Sequence, residues 1–297
     1  MKTLDFVKMS GSGNDFIIVD RLFTGRRGSI NRIHSGRMSL TPAIDLQAGK
    51  LAKQLCQRRL SVGADGLLLI EPSKKADFKM RVFNPDGKEA EMCGNGAGCV
   101  ALWTKSKMKN EKSKIKIETK NGIIETAVID ERKVRIKLID PQKVRLNFNL
   151  EIGGKNYKAN FIDTGVPHVV IFVNNLGALD VKKLGGTIRY HPEFKPAGTN
   201  ANFVKIQNEK TLSIRTYERG VEGETLACGT GAVAAAVISK IKSQISKIKY
   251  GRKVKIDVYT KSGEVLKVYF DLVDNRPKNV WLEGKVQMIY KGEVDYV

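Results

Sequence analysis

The chain has 297 residues, 41% of them apolar, with 52 Lys and Arg against 31 Asp and Glu for a formal charge of +21. At roughly 150 residues per domain this length predicts about two domains with sizeable cores, and the composition excludes a disordered or collagen-like chain. The longest apolar run, Gly231 to Ile238, is far shorter than the roughly 20 residues a bilayer span needs, and the start of the chain lacks the features of a secretory signal, so a cytoplasmic protein with no membrane partner is expected.

In chain order, the first element is GSGNDFIIVD (Gly11 to Asp20), a glycine-containing turn running into a β-branched strand. A basic inserted loop follows near Thr24 to Thr41, and then a helix with Thr41 as N-cap, Pro42 at its first position and Ala48, Leu51, Ala52 and Leu55 on its apolar face. Cys56 adjoins that face and reads as an inert core thiol. GADGLLLIEP (Gly63 to Pro72) is a second turn and strand. MRVFNPDGKEAEMCGNGAGCVA (Met80 to Ala101) reads as strand, polar loop and a Cys-Gly-x-Gly opening a helix of about residues 94–106. Alternating apolar and charged residues then predict half-buried antiparallel strands with a hairpin turn at Asn121-Gly122.

The same three segments recur in the same order as TGVPHVVIFV (Thr164 to Val173), GTNANFVKIQ (Gly198 to Gln207) and IRTYERGVEGETLACGTGAVAAA (Ile214 to Ala236). A second apolar helix follows at about residues 229–246, and then another hairpin with its turn at Ser262-Gly263. Ordered repetition of this kind marks two homologous halves, with Cys93 and Cys228 in equivalent places.

The positive charge is densest at Arg21 to Arg37, Lys105 to Lys120 and Lys240 to Lys255. None of these stretches is interleaved with aromatics, and no zinc-finger, RNA-recognition or helix-turn-helix signature accompanies them. They read as solvated surface, and no nucleic-acid partner is expected. The four cysteines form no CxxC pair, and the three histidines have no ligand spacing, so reduced thiols and no metal are expected. His34 and His191 stand in loop-like sequence without a motif.

A thiol at a helix N-terminus meets the positive end of the dipole and unpaired backbone N–H groups, which lower its pKa. Two such thiols at symmetric positions of a duplicated chain point to an acid and a base where the halves meet. Inverting a tetrahedral carbon needs both, one on each face. The neighbouring glycines would let backbone approach a ligand, and the helix starts would bind a carboxylate and stabilise a developing carbanion.

The strings SGSGNDF, GADGLL, FNPDGKEAEMCGNGAGC, GTNANF and YERGVEGETLACGTGA together resemble the diaminopimelate epimerase family, from near residue 1 to LEGKVQMIYKGE. The resemblance implies an α/β (α+β) protein of two pseudo-symmetric lobes, each a mostly antiparallel β-barrel-like sheet around a central helix. The lobes would be residues 1–138, with 283–297 returning to them, and residues 139–282. It implies cofactor-independent interconversion of LL- and meso-diaminopimelate, and a homodimer. The catalytic thiols map to Cys93 and Cys228, with His168 beside them and Glu218 at the reacting carbon. Substrate-binding positions map to Asn14, Asn84, Gly94, Asn95, Asn200, Glu218, Arg219, Gly229 and Thr230. The chain departs from the family's pattern at Ser10, Ser12, Gly66 and Val166, and contacts at those positions are not carried over. A related racemase of the same fold, of histidine or proline type, and a nucleic-acid-binding protein on an inactive scaffold are the alternatives.

Overall fold

A computed structural model describes residues 2–22, 48–108, 112–244 and 252–296. The expected loop at residues 24–41 and the Thr41-Pro42 cap lie outside the described residues. The chain divides into two compact units, Met1–Ile136 with Val286–Val297, and Lys137–Lys285.

The first unit contains β1 (Lys2–Gly11), β2 (Asn14–Asp20), α1 (Ala48–Leu55), β3 (Gly66–Glu71), β4 (Phe78–Phe83), β5 (Glu89–Ala90), α2 (Gly94–Lys107), β6 (Lys114–Thr119), β7 (Gly122–Asp130) and β8 (Lys133–Lys137). The second contains β9 (Gln142–Ile152), β10 (Lys155–Asp163), β11 (Pro167–Phe172), α3 (Val181–Arg189), β12 (Asn200–Asn208), β13 (Thr211–Glu218), β14 (Gly223–Thr225), α4 (Gly229–Gln244), β15 (Arg252–Tyr259) and β16 (Val265–Val273). The long β17 (Arg276–Tyr296) serves the second unit up to Lys285 and the first from Val286 onward.

In the first unit the strands pair in the order β1, β2, β3, β4, β6, β7, β8, and the far part of β17 pairs with both β8 and β1 to complete a closed eight-strand ring. The Val286 N–H donates to the Arg132 carbonyl at 2.8 Å at the closure. Two pairs in this ring are parallel, β2 with β3 and β4 with β6. Parallel neighbours need a crossover, and α1 and α2 lie in those connections. The second unit repeats the plan: β11 with β12 and β13 with β15 are parallel, and α3 and α4 lie in their connections.

Helix α4 is buried along every residue from Ala232 to Ile238. Only a helix enclosed on all sides does this, and residues of β10, β11, β12, β13, β15, β16 and β17 share its core. Each Val or Ile buried there contributes about 1.5–3 kcal/mol relative to exposure. Helix α2 likewise touches β1, β2, β3, β4, β6 and β7. Helix α1 is amphipathic, and Ala48, Leu51, Ala52 and Leu55 form its buried face as their spacing predicts. The β6–β7 turn falls on Lys120 and Asn121, one residue before the predicted position. Thr119 pairs with Gly122, whose φ of 105° places the glycine at the start of β7.

Candidate active site

The first unit's motif residues gather at the start of α2. Cys93 is the N-cap, with extended backbone at φ −139° and ψ 113°, and its Sγ accepts from the Gly96 N–H at 3.4 Å. Asn95 Nδ2 donates to Asn14 Oδ1 at 2.8 Å, and Asn14 Nδ2 donates to Asp65 Oδ2 at 3.1 Å. This orients both carboxamides. Gly11, at the end of β1, leaves little room for a side chain, since a Cβ there would lie 3.1 Å from both the Asn95 carbonyl oxygen and Cys99 Sγ. At Gly94 an added Cβ would meet nothing within 4 Å, so the first helical residue faces open space. Asn84 lies exposed in the turn between β4 and β5 and makes none of these side-chain hydrogen bonds.

Beneath Asn14 is an ionic cluster. Buried Lys8 lies 2.7 Å from Asp15 and also donates to the Gly63 carbonyl, while Arg58 Nη2 lies 2.8 Å from Asp65 and Arg58 Nη1 3.2 Å from Asp15. Burial works against the Asp15 charge, yet hydrogen bonds and charge from Arg58 and Lys8 hold its pKa at about 2.

In the second unit, Cys228 immediately precedes α4, and its carbonyl accepts the Ala232 N–H at 2.9 Å. Its Sγ lies 3.6 Å from Thr230 Oγ1. Glu218, at the end of β13, is in hydrogen-bond contact with the Cys228 thiol, and Thr225 Oγ1 donates to Glu218 Oε1 at 2.5 Å. Asn200 uses both ends of its amide, donating to the Pro167 carbonyl at 3.0 Å and accepting the Arg219 N–H at 2.8 Å. The Arg219 guanidinium donates to the Ala197 carbonyl at 3.2 Å. At Gly229 a Cβ would come within 2.7 Å of Leu282 Cδ2.

His168 is fully buried on β11, where burial, and then the charge of Arg219, push its pKa down to about 3. The ring is neutral at physiological pH. Asn202 Nδ2 contacts its Nδ1 at 3.0 Å, and Nε2 has no hydrogen-bond partner among the described residues.

Contrary to the expectation from helix position alone, neither paired thiol is acidic. Burial pushes both up. At Cys93 the N–H groups of Gly96 and Asn95 oppose the shift without reversing it. At Cys228 burial, followed by the negative charge of Glu218, takes the value up to about 12. Cys56 is buried and pushed up to about 11, and Cys99 is also raised. Among the described residues, no group of three or more His, Cys, Asp or Glu is placed to hold a metal ion, and no helix is long and apolar enough to cross a membrane.

Sequence reasoning missed Asn202, Thr216 and the Lys8, Asp15, Arg58 and Asp65 cluster. It also missed a matched pair of ion pairs: Arg81 grips Glu89 with Nε and Nη2, and Arg215 grips Glu224 the same way. Each acid lies on the short strand just before the thiol. The third repeat aligned these arginines and glutamates, and that alignment was the available signal.

The profile of the diaminopimelate epimerase family matches residues 6–144 and 160–289 of this chain. The chain belongs to the diaminopimelate epimerase family. The matched ranges include Asn14, Asn84, Cys93, Gly94 and Asn95, and then His168, Asn200, Glu218, Arg219, Cys228, Gly229 and Thr230. Among relatives, the diaminopimelate epimerase of Aquifex aeolicus is 38% identical over 302 residues, covering 98% of each chain. That of Hydrogenobaculum sp. is 39% identical over 294 residues, covering 97% of this chain and 98% of the relative. Solved structures share the fold at much lower identity. A phenazine biosynthesis protein of the PhzF family from Bacillus anthracis aligns over 100% of both chains with a TM-score of 0.67 at 17% identity. A probable proline racemase from Agrobacterium radiobacter K84 aligns over 98% of this chain and 93% of its own, with a TM-score of 0.61 at 16% identity.

Proposed function

We propose that this protein converts LL-2,6-diaminopimelate to meso-diaminopimelate without a cofactor, with Cys93 and Cys228 as the acid and base. The observation that carries this reading is the duplication: two matched motifs each deliver one thiol to the start of a buried apolar helix, in a chain of the diaminopimelate epimerase family. One thiolate removes the Cα proton and becomes a thiol. The other thiol gives its proton to the opposite face of the carbanion and becomes a thiolate. The two exchange states on each turnover, and the reverse direction uses them in reversed roles.

The raised thiol pKa values fit this chemistry. A Cα proton is held tightly, and a thiolate of high proton affinity is the stronger base for it. The small ionised fraction at rest is the cost, and at Cys228 the charge of Glu218 adds to the proton affinity. In this reading the reacting carboxylate takes the N–H groups at the starts of α2 and α4, through Gly94, Asn95, Gly229 and Thr230. Asn14, Asn84, Asn200 and Arg219 hold the substrate's remaining polar groups, with Arg219 facing the distal carboxylate. Glu218 also accepts from the ammonium at the reacting carbon.

The test is solvent-deuterium incorporation at Cα of LL- and meso-diaminopimelate by the purified, reduced protein, with proline and histidine as comparison substrates. Exchange and interconversion of the two diaminopimelate isomers are expected. No exchange with either isomer overturns the reading, and exchange with proline or histidine alone replaces it with a racemase. The same reading carries a cytoplasmic location, a homodimer and a product used for lysine and peptidoglycan precursors. Light scattering of the eluted protein checks the dimer.

A further inference from the structure

We propose that Asn202 is a positioning residue that locks His168 in the tautomer protonated at Nε2, so that His168 serves the reaction as a buried hydrogen-bond donor. The inference rests on the epimerase reading above for its chemistry, while the lock itself rests on the geometry of the second unit.

The argument starts at a main-chain carbonyl. Asn202 Nδ2 lies 2.9 Å from the Val169 carbonyl oxygen, which only accepts, so this end of the carboxamide must be the nitrogen. The same nitrogen lies 3.0 Å from His168 Nδ1. Its two hydrogens serve these two partners, and Nδ1 must be the bare, accepting nitrogen. The ring proton of neutral His168 therefore sits on Nε2. At the other end, Asn202 Oδ1 accepts the Thr216 hydroxyl at 3.0 Å, a contact compatible with the orientation that the Val169 carbonyl fixes. A side chain at Gly231 would run into Oδ1, so the second glycine of the CGTG motif makes room for the lock.

His168, Asn202 and Thr216 are 0%, 1% and 3% exposed. Burial keeps the imidazole uncharged. With Nδ1 occupied, the ring has one free function, an N–H at Nε2 that has no acceptor among the described residues. Buried N–H groups without an acceptor are uncommon in native proteins and point to a partner that arrives with function. The complement of such a donor is an anion, either a substrate carboxylate or a thiolate formed in the proton transfer. A neutral ring with this tautomer stabilises charge at that position and does not remove a proton.

Nitrogen-15 spectra of the imidazoles test this directly, His168 being assigned by the loss of its signals in His168→Gln. Protonated Nε2 and bare Nδ1 are expected in the free enzyme at neutral pH, and a bare Nε2 overturns the lock. Asn202→Asp presents only acceptors to Nδ1, and is expected to move the proton there and lower kcat by roughly 100-fold with KM little changed. Full retention of kcat overturns the catalytic role. Where Asn202→Asp does not fold, His168→Gln against His168→Leu decides: a donor role leaves the amide variant clearly more active, whereas equal losses overturn it.

Adding meso-diaminopimelate to the wild type and to a Cys93→Ala, Cys228→Ala double variant identifies the acceptor. A shift of the Nε2 proton in both proteins assigns it to a substrate carboxylate, a shift in the wild type alone assigns it to a thiolate, and no shift in either overturns the donor. A wild type with the locked tautomer but no deuterium exchange would sink the epimerase reading while leaving the lock standing.

Discussion

Arg81 grips Glu89 with two parallel hydrogen bonds, Nε to Oε1 and Nη2 to Oε2, both 2.9 Å long. Arg215 does the same to Glu224 at 2.6 and 3.0 Å. In each unit the fork ties a long barrel strand to the two- or three-residue strand that leads into the thiol. Forked ion pairs of this kind resist rotation, so the approach to each thiol is held at a fixed angle. Glu89→Gln and Glu224→Gln are each expected to lower unfolding free energy by about 1–3 kcal/mol. Urea unfolding of the single variants measures this, and an unchanged midpoint would show that the forks are idle.

Replacing either paired thiol separates the two faces of the reaction. Cys93→Ala and Cys228→Ala are each expected to lower kcat for interconversion by roughly 1,000-fold, with the fold retained by circular dichroism. Full turnover in either variant would mean that one thiol suffices.

The Glu218 charge raises the proton affinity of Cys228. In Glu218→Gln that repulsion is gone while the burial remains, so the Cys228 pKa is expected to move down from about 12. Peptide-resolved alkylation rates against pH report the shift. Cys93 alkylation is the internal comparison.

A buried group, His168, and a part-buried one, Asp15, set separate acid-stability windows. The His168 pKa is about 3 in the folded protein and near 6.5 unfolded, so the unfolded chain binds more protons between these values. Stability from this group is complete above about 6.5 and is lost as pH falls towards 3. Asp15 lies at about 2 folded against 3.8 unfolded, so its contribution is complete above 3.8 and is lost as pH falls towards 2. Denaturant midpoints measured across pH are expected to flatten in the upper window for His168→Gln and in the lower for Asp15→Asn.

Two glycines next to the thiols make opposite demands. Gly94→Ala places its methyl in open space, so the melting temperature is expected to hold while KM rises, because the added group stands where a carboxylate would approach the helix. Gly231→Ala drives a methyl into Asn202 Oδ1 and to within 3.2 Å of Cys228 Sγ. Melting temperature and kcat are expected to fall together. Differential scanning calorimetry and steady-state kinetics distinguish the two cases.

Some of this arrangement was legible in the sequence, and the reasons differ by residue. Cys93 and Cys228 stood out because the repeat presents each motif twice. The buried face of α1 follows from spacing that any amphipathic helix shows. The Asp15 and Asp65 pairing was hidden because it depends on the parallel register of β2 with β3, which brings together residues 50 positions apart. Asn202 carried no signal of its own in the sequence, and its contact with His168 arises only from the parallel pairing of β11 with β12. The thiol acidities were misjudged for a related reason: a helix start is visible in sequence, whereas the burial that outweighs it belongs to the packed core.

The strand that closes the first ring, beginning at Val286, is separated from β8 by the whole of the second unit. During synthesis at roughly 5–20 residues per second, the ring therefore waits on the order of ten seconds for its last member. Throughout that interval β1 and β8 each present an unpaired edge, the feature most prone to joining a neighbouring chain. Maturation of the first-made unit is thus timed by the last-made strand, and a chain cut short before Val286 would carry both open edges permanently.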